Sequence, residues 1–391
     1  MARSSLSTTV GIIGGGQLAR MTHQAAIGLG IDVIVLCPHD DAPAVRSGAT
    51  HCPGRPDHLP DLIRLAEQVD VVTLDHEQTP AELLARLAAL GHDVAPSATA
   101  ARLGQDKTEA RVVLARHGIA MAPWIQTDDL EAVDAFGDHH GWPLVLKRPT
   151  GGYDGRAVWI ANDLAEASHV LDQVRGLDQE RGVGAVELLF EPVVPFRHEL
   201  SVLVVRSATG EVVAYPPLET VQRDGQCAEV FVPASIPELR HAQARHLAVT
   251  IAEAVDLVGI MAVELFETSD GLLLNELAVR PHNSGHLTIE ACTTSQFENH
   301  LRAVVGMPLG ATDLVVPAAV MVNILGPADG TDPFRRIDHA LAVPGARVHR
   351  YSKTACAKRK LGHITATGPS VAEARITANR ALAALSPEQA A

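Results

Sequence analysis

Aromatic residues make up only 3% of the 391-residue chain, so its cores must come from the Ala, Val, Leu and Ile within a 47% hydrophobic content. Five cysteines (Cys37, Cys52, Cys227, Cys292 and Cys356) are scattered and form no C-x-x-C pair. This argues against disulfides and a thiolate zinc site and for reduced thiols in a cytoplasmic protein. No apolar run reaches membrane-spanning length, and the start, Met1-Ala2-Arg3-Ser4-Ser5, carries no signal-like apolar region. Basic residues are outnumbered, 32 Lys and Arg against 46 Asp and Glu, for a net charge of −14. An extended nucleic-acid surface is thereby excluded, but local basic sites for small phosphorylated ligands are not. No G-K-S or G-K-T follows a glycine loop, and no Ser or Cys nucleophile motif is present. The length allows two or three domains.

Thr9 to Ile13 reads as a buried strand running into Gly14-Gly15-Gly16-Gln17-Leu18-Ala19 and a helix that ends near Gly30. This is the G-x-G-x-x-A form of a dinucleotide turn, which offers helix N-terminal amides to a phosphate or sugar. Cys37-Pro38-His39 stands where the ribose-binding acid of a nicotinamide enzyme belongs, which sets that reading aside. Strand 69–74 and helices 60–68 and 80–90 complete a Rossmann-like unit. Asp75-His76-Glu77 lies at the carboxyl edge of its third strand, where ligands collect, so Glu77 is a candidate contact.

Asp106 is placed to cap a helix from Lys107 to His117. Strand 142–147 ends in Lys147, and Gly151-Gly152-Tyr153-Asp154-Gly155-Arg156 leads into a further strand at Ala157-Val158-Trp159-Ile160. Such a loop, with cations at root and tip, can fold over a polyphosphate. Val186 to Pro195, apolar with two prolines, is expected to be an interdomain hinge rather than a central strand. Its backbone could face an adenine edge, with Glu199 on the strand after it.

Strands 260–266 and 272–277 flank Thr268-Ser269-Asp270-Gly271, a hairpin signal. A three-residue loop sets Glu264 opposite Glu276 on one face, where a divalent cation would relieve the like charges. A two-residue loop sends them to opposite faces, and parity alone leaves both open. Arg280-Pro281-His282-Asn283-Ser284-Gly285-His286 follows at once, a concentration of groups suited to a small anion beside a metal–phosphate centre. Strands over 314–324 and 347–351, a basic cluster (Lys353, Lys358, Arg359, Lys360) and a helix over 370–385 close the chain, with 386–391 as a tail.

Together these features resemble the ATP-grasp superfamily and, within it, the N5-carboxyaminoimidazole ribonucleotide synthases. The resemblance spans nearly the whole chain and is most specific at Arg280 to His286. It also includes Gly14 to Leu18, Pro96-Ser97, Gln105 to Lys107, Gly152 to Arg156, Val194 to Phe196, Glu199 to Ser201, Thr294 to Glu298, His300 to Ala303, Tyr351 to Lys353 and Arg359 to His363. It implies carboxylation of 5-aminoimidazole ribonucleotide by bicarbonate that ATP has activated as carboxyphosphate, in a cytoplasmic homodimer that uses Mg²⁺ or Mn²⁺. By the same resemblance Lys107, Lys147 and Gly152 to Val158 (through Ala157) meet the ATP phosphates. Glu191, Pro192, Val193 and Val194 meet the adenine and Glu199 the ribose, with Gln222 and Asn275 beside the nucleotide. Glu264 and Glu276 hold the metal, and Arg280, His282 and Asn283 the bicarbonate. Tyr153, Asp154, Arg156, Gln17 and Glu77 meet the ribonucleotide, and Lys353 and Arg359 its 5′-phosphate.

The sequence departs from the family pattern at Cys37, His76, Ala157, Val158, Gln222 and Leu287, none of them a group the chemistry requires. The expected architecture is α/β: a Rossmann-like domain (1–104), a helix plus lid domain (105–195), a larger domain with the metal carboxylates (196–310) and a C-terminal extension (311–391). A formate-dependent glycinamide ribonucleotide transformylase or a non-catalytic ATP-binding relative is the alternative. The Arg280 to His286 run and the retained glutamate pair disfavour these.

Overall fold

In the computed structural model, which describes residues 8–152, 157–180, 184 and 186–386, the apolar N-terminal runs form a parallel sheet. Its strands are β1 (Thr9–Ile13), β2 (Asp32–Cys37), β3 (Thr50–Pro53) and β4 (Val71–Leu74), in the order β3-β2-β1-β4. Helices cover both faces, which is why β1 and β4 are apolar almost throughout. The first helix, Gln17–Leu29, ends at Gly30 in the left-handed conformation with φ 66°.

The glycine turn differs from its expected use. Gly14 has φ +115°, and a Cβ there would come within 1.6 Å of Asp75 Oδ1. Asp75 Oδ2 accepts the Gly16 amide at 2.7 Å. A carboxylate of the protein therefore takes an amide that a phosphate or sugar would need.

The second sheet contains β5 (Ile125–Thr127), β6 (Leu144–Lys147), β7 (Val158–Ala161) and β8 (Leu188–Pro192), in the order β5-β8-β6-β7. Helices Leu130–His140 and Leu164–Glu180 share a core with it around Phe136, Leu146, Leu171 and Phe190. This corrects the hinge expected over 186–195, because β8 lies centrally between β5 and β6. Pro192 is its last residue, where a missing N–H disrupts no interior ladder bond.

A nine-stranded sheet makes up the remainder. Its strands are β9 (His198–Arg206), β10 (Val212–Ala214), β11 (Leu218–Arg223), β12 (Gln226–Val232), β13 (Gly259–Glu267), β14 (Leu272–Ala278), β15 (Ala318–Leu325), β16 (Ala346–Arg350) and β17 (Lys360–Gly368). The order is β14-β13-β9-β11-β12-β15-β17-β16, with β10 beside β9. Antiparallel pairing of β12 with β15 carries the sheet unbroken across the boundary expected near residue 310. Strand β15 begins at Ala318 rather than 314; Leu314 makes only an isolated bridge to Cys292.

Helix Gln296–Val304 joins this sheet to the N-terminal domain. Its Leu301 and Val304 pack with Val10, Ile12 and Val35. Buried His300 accepts the Ile260 amide at Nδ1 (3.3 Å) and meets Thr73 Oγ1 at Nε2 (2.9 Å). The amide fixes Nδ1 as acceptor, so Nε2 carries the proton toward Thr73. Burial pushes the His300 pKa down to about 4. No helix among the described residues is long and apolar enough to cross a membrane.

Candidate active site

The hairpin of β13 and β14 sets the site's geometry. Thr268 donates to the Gly271 carbonyl (2.9 Å), and Glu267 pairs with Leu272. That parity is the one expected to separate the two glutamates. A β-bulge then shifts the register, so that Leu265 pairs with Leu274 but Glu264 pairs with Glu276. Asn275 is the extra residue. Leu274 and Leu277, three apart, consequently both join the core cluster of Val263 and Leu265. Glu264 and Glu276 thus do oppose each other, by way of the bulge rather than a three-residue loop.

Burial, and then the charges of Glu276 and Glu199, push the Glu264 carboxyl well above the usual carboxylate range. This is a donor set that a divalent cation fits: hard oxygens whose mutual repulsion it would relieve.

Both expected phosphate lysines converge here. Asp106 caps its helix by accepting the Thr108 and Glu109 amides, each at 2.9 Å. Lys107, next to that cap, reaches Glu276 Oε1 at 2.7 Å. Lys147, at the end of β6, contacts Glu191 Oε2 at 2.7 Å and Asn275 Oδ1 at 3.1 Å. Arg111 is ion-paired with the same Glu191 and donates to the Asn275 carbonyl at 3.3 Å. The carboxylate expected near adenine is therefore buried between two cations, which hold it below the usual range against the opposing effect of burial. Glu199 accepts from Thr220 Oγ1 (2.9 Å) and from Gln222 Nε2 (2.6 Å), bringing the two nucleotide-side candidates into direct contact.

The run after β14 folds back over the carboxylates. Gln296, fully buried, clamps His282 by accepting its amide (2.9 Å) and donating to its carbonyl (2.7 Å). A Cβ on Gly285 would meet Gln296 at 2.4 Å, so only glycine fits beneath the clamp. His282 Nδ1 contacts Ser284 Oγ (2.8 Å), which in turn contacts Ser201 Oγ (2.7 Å). Its Nε2 lies 3.4 Å from Glu264 Oε1. Burial, followed by the charges of Arg280 and Lys360, holds this imidazole well below its ordinary pKa. Arg280 pairs with Glu77 at 3.2 Å, linking the site to the edge of β4. Asn283 is buried, and its amide pairs with that of Asn323 on β15.

The ribonucleotide candidates come from opposite ends of the chain. Gln17, at the start of the first helix, hydrogen-bonds Lys353. Lys353 also lines a cavity of about 390 Å³ with Arg46, Arg335 and Arg350. Arg359 is exposed and donates to the Thr354 carbonyl at 3.3 Å, whereas neighbouring Lys360 is buried at the start of β17. Gly152, Ala157 and Val158 flank the glycine-rich loop at the root of β7, while Tyr153, Asp154, Gly155 and Arg156 lie outside the described residues. Arg111 and Asn323 were not singled out from the sequence, and Ser201 and Gln296 only as members of longer runs that carry the resemblance. Each is a single polar residue in an ordinary helix or strand pattern, with only its burial to mark it.

Residues 7–105 match the ribonucleotide synthetase preATP-grasp domain, 112–297 the ATP-grasp domain and 319–377 the phosphoribosylaminoimidazole carboxylase C-terminal domain. Fold and site together define an ATP-grasp ligase. The N5-carboxyaminoimidazole ribonucleotide synthase of Mycobacterium bovis is 46% identical over 377 residues, covering 95% of this chain and 86% of its own. That of Synechococcus elongatus is 37% identical over 358 residues, covering 91% and 88%. The solved N5-carboxyaminoimidazole synthase of Aspergillus clavatus, in complex with ADP and 5-aminoimidazole ribonucleotide, matches with a TM-score of 0.87 at 33% identity, over 97% of this chain and 98% of that one. The chain belongs to the N5-carboxyaminoimidazole ribonucleotide synthase family.

Proposed function

We propose that this chain performs its family's reaction, the ATP- and bicarbonate-dependent carboxylation of 5-aminoimidazole ribonucleotide to N5-carboxyaminoimidazole ribonucleotide, with these residues in the following roles. Bicarbonate is a poor electrophile until its hydroxyl becomes a phosphate leaving group. The work therefore lies in positioning and charge neutralisation, and no covalent nucleophile is needed. Lys107 and Lys147 take the phosphates of ATP, Glu199 and Gln222 the ribose, and the segment 191–194 the adenine. Glu264 and Glu276 would hold Mg²⁺ or Mn²⁺, which neutralises phosphate oxygens when bound.

Arg280 and His282 orient bicarbonate against the γ-phosphate. The half-buried, neutral His282 offers hydrogen bonds without bringing a charge of its own. Carboxyphosphate, or CO₂ released from it, then meets the exocyclic amine, with Gln17, Glu77 and the 152–158 loop holding the ribonucleotide. Lys353, in its basic cavity, holds the 5′-phosphate, with Arg359 nearby in sequence. Small molecules are the partners in this reading, without nucleic acid or membrane, and a cytoplasmic homodimer is its assembly, tested by light scattering for twice the mass of one chain.

The observation that carries the reading is the convergence of Lys107, Lys147, Glu264 and Glu276 at the Asn275 bulge, directly beside Arg280 and His282. ADP release by the purified protein with Mg²⁺ and bicarbonate is expected to require 5-aminoimidazole ribonucleotide. Glu276→Ala is expected to lower it by about a hundredfold or more. Stimulation by glycinamide ribonucleotide with formate instead would overturn the assignment.

A further inference from the structure

Asn283 sits between His282 and Ser284, yet much of its side chain is already engaged. Its Nδ2 donates to Asn323 Oδ1 at 3.0 Å, and Asn323 Nδ2 donates back to Asn283 Oδ1 at 2.8 Å. Both residues are more than nine-tenths buried, with relative exposures of 8% and 5%. An isolated amide pair of this kind could form in either of two orientations, since oxygen and nitrogen are nearly the same shape. A third bond removes the ambiguity here: Asn323 Nδ2 also donates to the Cys227 carbonyl at 2.8 Å. A backbone carbonyl can only accept, so it must face the Asn323 nitrogen. Asn323 Oδ1 is then turned toward Asn283 Nδ2, and the orientation of Asn283 follows.

We infer that Asn323 is a positioning residue: it fixes the orientation of the amide of Asn283, the residue directly after His282. An amide has two N–H donors and two acceptor lone pairs, so the pair leaves Asn283 one N–H for the oxygens of a bound anion and one lone pair that only an O–H, such as bicarbonate's, can use. Released from Asn323, the amide could rotate and put an oxygen where an N–H should meet bicarbonate or carboxyphosphate.

The inference rests on the carboxylation reading, and the test separates the two. Steady-state kinetics would compare wild type, Asn323→Leu, Asn283→Ala and the double variant, with ATP and bicarbonate varied separately. Asn323→Leu is expected to lower kcat/KM for bicarbonate about tenfold to a hundredfold while KM for ATP changes less than about twofold. The double variant should be no more than about twofold worse than Asn283→Ala, because the two residues act as a unit. A purely structural role would instead lower every parameter together and make the losses multiply. If the leucine variant does not fold, Asn323→Ser, which fits the same space and lacks the two-bond fork, replaces it. An active wild type with an unaffected Asn323 variant, or multiplicative losses, overturns this inference alone. A wild type without ribonucleotide-dependent ADP release overturns the functional reading as well.

Discussion

Ala157 has φ 67°, in the left-handed region that costs a residue with a Cβ about 1 kcal/mol. It stands at the root of β7, directly after the glycine-rich loop. Ala157→Gly should relieve the backbone and stabilise this hairpin by up to about 1 kcal/mol despite the entropy glycine adds to the unfolded chain. The expected result is amide exchange in β6 and β7 slowed by up to about fivefold. Unchanged or faster exchange would show that the backbone there is unstrained. At this scale the sequence was informative wherever chemistry clusters locally, as at Arg280 to His286 or beside Lys147. It was silent on Arg111, whose role depends on Glu191, 80 residues away. It also assigned Asn283 to bicarbonate without revealing that half of its amide faces Asn323.

Among the elements, the β13–β14 hairpin shows both the reach and the limit of pattern reading. Alternation and Asp270-Gly271 identify the two strands. The facing of Glu264 and Glu276, however, depends on a bulge that no residue type announces. The site therefore depends on the register handed from the turn to the bulge, not on the turn's own residues. Replacing Thr268-Ser269-Asp270-Gly271 by another turn that keeps the Glu267–Leu272 pair should leave ADP release within about twofold. One alanine inserted after Leu273, between turn and bulge, should reduce it by about a hundredfold by turning Leu274 off the core face. Equal activity of the two would mean that the turn absorbs the insertion and that the Glu267–Leu272 pair does not set the register. Strand β8 was misread for a related reason: proline weakens a strand only where an N–H is needed, and Pro192 ends the strand.

Across the whole molecule, His300 is a polar link between the domain that holds Gln17 and Glu77 and the one that holds the carboxylates. Its folded pKa of about 4 lies below the unfolded value of about 6.5. The unfolded chain thus binds more protons between those values, and stability present in full above about pH 6.5 is lost as pH falls toward 4. For this one group the loss between pH 7 and pH 5 is about 2 kcal/mol. His300→Gln, which retains an acceptor for Ile260 and a donor for Thr73, should flatten the wild-type fall in urea midpoint over that range. An equally steep fall would assign the acid sensitivity to other buried groups. Apolar runs and turns marked strands in each of the three sheets, but β3, β5, β10, β11, β12 and β17 were not read from them and β8 was taken for a hinge. The union of the large and C-terminal domains through β12 and β15 was not legible, because strand partners 90 residues apart leave no local signature.

The ion pairs around Asn275 have one more consequence. Lys107 is paired with Glu276 and Lys147 with Glu191, so each candidate phosphate contact already has a carboxylate partner. In the proposed roles, binding is a metathesis: each phosphate contact formed breaks a carboxylate contact. Nucleotide arriving alone would strip Lys107 from Glu276 and leave that carboxylate uncovered beside Glu264, whereas nucleotide arriving with its cation replaces what it displaces. In these roles the charge pairs would favour the complex of nucleotide and cation over either component.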